Sequence, residues 1–300
     1  MSMFNKYPVI FLFLLLCYCG DNTENKTEYN KTPSRMIQNK KIIKFGVVAR
    51  YSPRLIYQGY QPIMDFLTNE TDYRFELKLS KTYSEALNFL KTDSVQIASL
   101  GTYSYIEANK NFGARCILKP LNPKGKPFFK GIIIVREDSP IKTLSELKGK
   151  KFAFASSKAT AGFLIPKRAM YKAGVNLTDL AGYENIEHHN SVARAVLRGE
   201  YDAGAVKDII AYKNKEKGLR FIFTSANIPS IPIAVGANFD TTMVNQVKEA
   251  LLFLDPNNTK HQELMKSWDA EFRYGFVEAQ DSDYDPIREL IKWLDRYEKL

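Results

Sequence analysis

The chain has 300 residues, 45% hydrophobic and 25% charged, with 16 Gly and 13 Pro, a balance that excludes disordered, collagen-like and multi-span membrane classes. At this length a single core stops growing, so two lobes are expected. The 43 Lys and Arg against 33 Asp and Glu give a formal charge of +10, which suits exported and membrane-surface proteins as well as nucleic-acid binders, while three Cys, two of them near the amino terminus, exclude a disulfide framework or a zinc knuckle.

Residues 8–18, PVIFLFLLLCY, form an apolar run that fits the h-region of a secretory signal and falls short of the roughly 20 residues needed to span a bilayer. Cys19, followed by Gly20 and Asp21, resembles the acylated cysteine of a bacterial lipoprotein signal. Tyr18 stands where such signals carry a small residue, so an ordinary cleaved signal or an uncleaved anchor is the alternative, and Cys17 is the other acylation candidate. Residues 1–18 are thus read as signal and 19–41, poor in apolar side chains, as a lipid-anchored tether.

From Ile42 the texture changes to IIKFGVVA, a strand that feeds a helix near 60–67. Further strands are expected at 73–79, 95–100, 114–118, 131–136, 151–155, 203–206, 221–223 and 231–235, and helices at 84–91, 102–109, 162–173, 191–199 and 208–217. That alternation predicts α/β layers with mostly parallel sheets. Helices are also expected at 242–254, 261–268 and 286–300, the last with Ile287, Leu290, Ile291, Leu294 and Tyr297 on one stripe. Cys116, in an apolar setting, reads as a buried hydrophobe.

Three strand-to-helix junctions have the composition of anion sites, where free amides meet the positive end of a helix dipole. At the first, Gly101 breaks a strand, and Ser104 with Glu107 has capping-box spacing. At the second, Ser156, Ser157, Lys158 and Thr160 offer donors, while Ala159, Ala161 and Gly162 leave room for backbone approach; a purely structural turn would look the same. At the third, Asn190 or Ser191 would cap a helix and one of His188 and His189 would face the same cleft; for His189, binding lost above about pH 7.5 would mark a charged imidazole and a flat profile a neutral one. No G-x-S-x-G elbow, phosphate loop or G-x-G-x-x-G occurs, so no catalytic residue and no cofactor are assigned. Adjacent histidines on a strand face opposite ways, so no metal site is assigned. The lysines are scattered among acids, so no nucleic-acid partner is expected.

Read in order, residues 138–154 (DSPIKTLSELKGKKFAF), 160–166 (TAGFLIP), His189 with Ala195 and Val196, 199–206 (GEYDAGAV) and 228–235 (IPSIPIAV) resemble the phosphate/phosphite/phosphonate-binding proteins of ABC transporters. Residues 45–48 (FGVV), 60–62 (YQP) and 100–108 (LGTYSYIEA) look like the first-lobe pattern of the same family, so the likeness covers roughly 42–275.

The resemblance implies an α/β, two-lobed periplasmic-binding-protein fold, type II-like, with two crossover strands as hinge, closing over a small oxyanion. Lobe one would be 42–136 plus 236–300 and lobe two 137–235. It further implies a monomer that delivers its ligand to ABC permease subunits and is located in the periplasm or at the cell surface, lipid-anchored to a bacterial membrane; a sensing or adhesive lipoprotein of the same fold is the alternative use. Thr160 matches the threonine of the family's Ser-Thr-Ser-Gly anion loop, Gly162 its glycine, His189 the histidine opening the next helix and Asp208 the acid after the DAGA segment. Tyr51, Thr102 and Tyr103 fall where the first lobe meets its ligand. Ala159 and Ala161 replace the two flanking serines, removing two donors, for which Ser156, Ser157 or Lys158 would substitute. Arg50 and Arg54 either make forked contacts to an anion or are exposed loop residues.

Overall fold

The computed structural model describes residues 40–297; the expected signal segment, Cys19 and most of the tether lie outside the described residues. The folded body begins slightly before the change in texture. Lys41–Val47 form β1, and the Lys40 ammonium donates to the carbonyls of Thr68 and Thr71 at 2.6 Å each. Then follow α1 (Pro53–Glu70), β2 (Tyr73–Leu79), α2 (Tyr83–Lys91), β3 (Ile97–Ser99), α3 (Thr102–Phe112), β4 (Arg115–Pro120), β5 (Phe128–Phe129), β6 (Gly131–Arg136) and β7 (Lys151–Phe154). A wide helical turn, Thr160–Leu164, runs directly into α4 (Ile165–Lys172). The rest comprises β8 (Gly182–Asn185), α5 (His189–Leu197), β9 (Ala203–Lys207), α6 (Asp208–Lys215), β10 (Leu219–Thr224), β11 (Ile228–Pro229), β12 (Ile233–Val235), α7 (Thr241–Leu252), α8 (Thr259–Met265), β13 (Phe276–Glu278) and α9 (Asp285–Tyr297).

Two sheets organise these elements. One has the order β13-β4-β12-β3-β1-β2, the other β10-β6-β9-β7-β8, and β5 pairs with β11 in a two-stranded ribbon between them. The sheets are mixed rather than mostly parallel: β1 runs parallel to β2 and β3, and β7 to β8 and β9, but β12, β13, β6 and β10 are antiparallel to their partners. The cause lies in the connectivity, since a chain that crosses to a second sheet and returns enters each sheet from the opposite end. The expected boundaries at 136 and 235 fall after β6 and β12. These strands belong to the second and first sheet respectively, so sheet membership places both crossovers earlier, at the ribbon.

Local chemistry accounts for the helix starts. Pro53 occupies the first turn of α1, where its missing N–H has no intrahelical acceptor to lose, and the helix therefore begins seven residues before the apolar spacing suggests. Asp240 caps α7 by accepting from the amides of Thr242 and Met243. Gly113 closes α3 with φ 72°, a left-handed conformation that glycine adopts without steric cost.

The core of the first lobe centres on Tyr60, tilted against Phe45 and edge-on to Phe272 with centroids 5.2 Å apart. In the second lobe Phe154 lies tilted against Phe152 and meets Phe163 and Tyr183 edge-on. Cys116 is half-buried rather than fully enclosed, and burial raises its thiol pKa. Helix α9 buries Ile287, Leu290 and Leu294 as its periodicity requires. Ile287 joins the first-lobe core, whereas Leu290 and Leu294 pack on Leu164. Trp293 meets the Tyr171 ring edge-on at 5.2 Å, with the Arg168 guanidinium 5.3 Å from its centroid. The helix thus touches both halves of the molecule.

Candidate functional site

The carboxyl ends of β1, β3, β7 and β9 all end at one seam, and the loops leaving them carry the polar residues of interest. On the second-sheet side the β7 strand ends in Ser156, buried, and Ser157, exposed. Lys158 is committed elsewhere: its ammonium is 2.7 Å from both carboxylate oxygens of Glu107 on α3. Thr160, Ala161 and Gly162 are buried. The Thr160 hydroxyl oxygen accepts from the Thr102 hydroxyl at 2.6 Å and from the Tyr103 amide at 3.0 Å. Two expected site residues of the first lobe thereby meet the anion-loop threonine across the seam.

Two expected caps are not formed. α3 starts from Gly101, which has no side chain to cap with, so Ser104 falls inside the first turn with its hydroxyl buried and without a hydrogen-bond partner, and Glu107 pairs with Lys158 instead. α5 starts from His188, whose Nδ1 lies 2.7 Å from the Ala49 carbonyl across the seam, so neither Asn190 nor Ser191 serves as the cap.

His189 is 3% exposed and its Nδ1 accepts from the Lys207 amide at 3.3 Å, leaving the ring proton on Nε2. Burial, reinforced by the Lys207 ammonium, pushes its pKa down to about 3. The imidazole is therefore neutral at physiological pH, one of the two forms that the sequence left open. Gly162 is required beside it: a Cβ there would lie 2.3 Å from Ala155 Cβ and 2.8 Å from His189 Cε1. Gly162→Ala is therefore expected to lower stability by about 1–3 kcal/mol, measured by thermal unfolding; an unchanged melting temperature would mean that the turn moves away from Ala155 as well as His189 without cost.

The centre of the seam holds charges that sequence reasoning missed. Glu271, between α8 and β13, receives the Tyr51 hydroxyl at 2.6 Å on one oxygen and the Lys207 ammonium on the other. The Glu271 and Lys207 side chains are each 6% exposed. Arg50 Nε lies 3.5 Å from Glu271, and Arg50 Nη2 donates to the Tyr60 hydroxyl and, at 3.2 Å, to Ser99 Oγ. Burial works against the Glu271 carboxylate, but Lys207 and Arg50 together hold its pKa well below the usual range. Asp269 accepts from the Glu271 amide at 3.0 Å, and burial raises its pKa. Asp208 opens α6 by accepting from the amides of Lys130 and Ile209 at 2.8 Å, with its pKa also raised by burial. Arg50 is buried and Arg54 is exposed, so only the first reaches the seam.

Arg50 is only 2% exposed, and while its Nε lies 3.5 Å from the Glu271 carboxylate, its Nη1 has no hydrogen-bond acceptor among the described residues. A buried donor without a partner costs about 1–3 kcal/mol. The amides of Thr160, Ala161 and Gly162, at the first turn of the helical segment, also donate to no other described group. The seam is therefore rich in donors that an oxyanion would satisfy.

Comparison with known proteins agrees with this geometry. Residues 45–284 match the family described as "ABC transporter, phosphonate, periplasmic substrate-binding protein". The phosphonates-binding periplasmic protein of Escherichia coli is 22% identical over 272 residues, covering 86% of this chain and 78% of that one. Among solved structures, a binding protein component of an ABC phosphonate transporter from Pseudomonas aeruginosa superimposes with a TM-score of 0.77 at 20% identity, covering 86% and 88% of the two chains. A Prochlorococcus marinus protein in complex with methylphosphonate gives 0.75 at 18%, covering 85% and 98%.

Proposed function

The chain belongs to the phosphonate-binding family of periplasmic ABC-transporter substrate-binding proteins, and from that premise we propose that it captures a small oxyanion, a phosphonate, phosphite or phosphate ester, in the seam and delivers it to a permease. The observation that carries this reading is Arg50: a buried guanidinium whose Nη1 has no acceptor among the described residues, its backbone carbonyl taking the amide of His189, whose ring adjoins Gly162 in the donor-rich turn at 160–162. Thr160, Gly162 and His189 form the far wall with Ser156, and Tyr51, Thr102 and Tyr103 the near one, while neutral His189 donates through Nε2 rather than contributing charge. Asp208 sits beside Lys207 and takes a ligand hydroxyl or ammonium.

In this reading the lobes divide at the β5/β11 ribbon, which acts as the hinge, and the ligand favours closure only through its greater affinity for the closed form. A lipid on Cys19 would hold the body at the membrane. The test is a thermal-shift panel of phosphate, phosphite, alkylphosphonates, sulfate and sulfonates on the purified protein. A true ligand at 100 times its dissociation constant stabilises by about 2.7 kcal/mol. A panel without a single shift overturns the reading.

A further inference from the structure

A cavity of about 560 Å³ opens beside the β5/β11 ribbon and shares Lys207, Asp208 and Glu271 with the seam. Its other walls are largely apolar, formed by Leu121, Phe128, Phe129, Ile209 and Tyr212. At the junction the Lys207 ammonium lies 3.8 Å from the centroid of the Phe129 ring, so the polar seam passes directly into the apolar chamber. Tyr212 is 59% exposed, its ring held edge-on to Phe221 with centroids 5.5 Å apart. Lys124 and Lys130 also line the cavity, and neither takes part in an ion pair among the described residues.

Volume and chemistry disagree with a bare inorganic anion as the whole ligand. A space of this size lies in the range of about 300–1,000 Å³ that encloses drug-sized molecules. Phosphate or phosphite has no apolar surface to set against Phe128, Ile209 and Tyr212, and those side chains would stay wet. A substituent carried on the anion would cover them, gaining roughly 25 cal/mol per Å² of apolar area removed from water, and a ring would add edge-to-face contacts with Phe128 and Tyr212. Lys124, Lys130 and Lys207 against Asp208 and Glu271 leave the chamber with a small positive excess that favours an anionic ligand entering this way.

We propose that this cavity is a subsite for the organic substituent of the ligand, and that the protein takes monosubstituted oxyanions bearing an aromatic ring or a comparably bulky apolar group. The inference rests on the interlobe capture proposed above, with the oxyanion on the Arg50 and Lys207 side of the chamber.

Calorimetric titration of the full-length protein with methylphosphonate, phenylphosphonate and the two corresponding sulfonates tests it. Within the pair that binds, the phenyl compound is expected to bind at least tenfold more tightly than the methyl one. Tyr212→Ser and Ile209→Ser, at partly exposed positions that leave the melting temperature in place, should each reduce that ratio at least threefold. Methyl binding with an equal or weaker phenyl partner overturns the subsite while leaving interlobe capture standing. A ratio that survives both substitutions also overturns it, because the ring then lies elsewhere. The absence of binding by all four compounds overturns capture in the seam, and the subsite with it.

Discussion

Glu271→Gln is expected to lower the stability of the unliganded protein by about 3–5 kcal/mol, the cost of leaving a buried charge without its counter-ion. Lys207 and Arg50 reach the seam from opposite lobes, and Glu271 is the carboxylate nearest to both, with Tyr51 fixing its second oxygen. Removing the charge strands two buried cations, each with a large desolvation penalty. Replacing the pair together, Glu271→Leu with Lys207→Met, should recover the share of the loss due to Lys207 and leave that due to Arg50, because a buried ion pair contributes little net stability over apolar groups of similar volume. Urea unfolding of the three proteins measures this. A single substitution costing under 1 kcal/mol would show that water already solvates Lys207. A second readout concerns ligand: Glu271 is the chain's own anion on Lys207, so methylphosphonate should stabilise Glu271→Gln more than it stabilises the parent.

A steep acid dependence is the second large effect, and it originates at His189. In the unfolded chain its pKa is about 6.5, while burial and the Lys207 ammonium hold the folded value at about 3, with Arg50 and His188 pushing the same way and Glu271 opposing. Between those values the unfolded state binds a proton that the native state does not. Stability therefore falls as pH falls, by up to about 1.4 kcal/mol per unit, on the order of 3 kcal/mol from pH 6.5 to 4. Well above pH 6.5 the residue is neutral in both states and contributes nothing. Asp208 and Asp269, raised by burial, add slopes of the opposite sign at acid pH, so the informative quantity is the difference from His189→Asn, which keeps an acceptor for the Lys207 amide and cannot titrate. Identical slopes for the two proteins would mean that His189 is protonated in the fold. The same neutrality predicts no step in ligand affinity near pH 7.5 from this residue.

Much of the scaffold was legible because local signals agree with the tertiary environment. Gly131-Ile-Ile-Ile-Val-Arg136 reads as a strand and is one, at the same boundaries, because five of its six residues are buried in the second sheet. Elements without a local pattern escaped. The four residues of β8 are all exposed, with no alternation to detect, and β5 and β11 are two residues each. In α1, Pro62 interrupts the helix spacing although the helix passes through it. Within the site, Thr160, Gly162 and His189 could be placed because small and polar residues follow strands there. Glu271 and Lys207 are 64 positions apart, and nothing around Glu271 distinguishes it from an acid on a surface loop. A lysine ending the otherwise apolar β9 was the one available hint, since a charge in a buried strand needs a partner.

The position of α9 gives the molecule a built-in optical gauge. The sequence contains two tryptophans: Trp268, sealed in the first-lobe core at 1% exposure, and Trp293, half-buried against Arg168 and Tyr171 of the other lobe. The first supplies a constant emission baseline and the second a signal that changes colour and yield when those neighbours move away. Any separation of the two lobes would thus be read in real time by fluorescence, without attaching a dye.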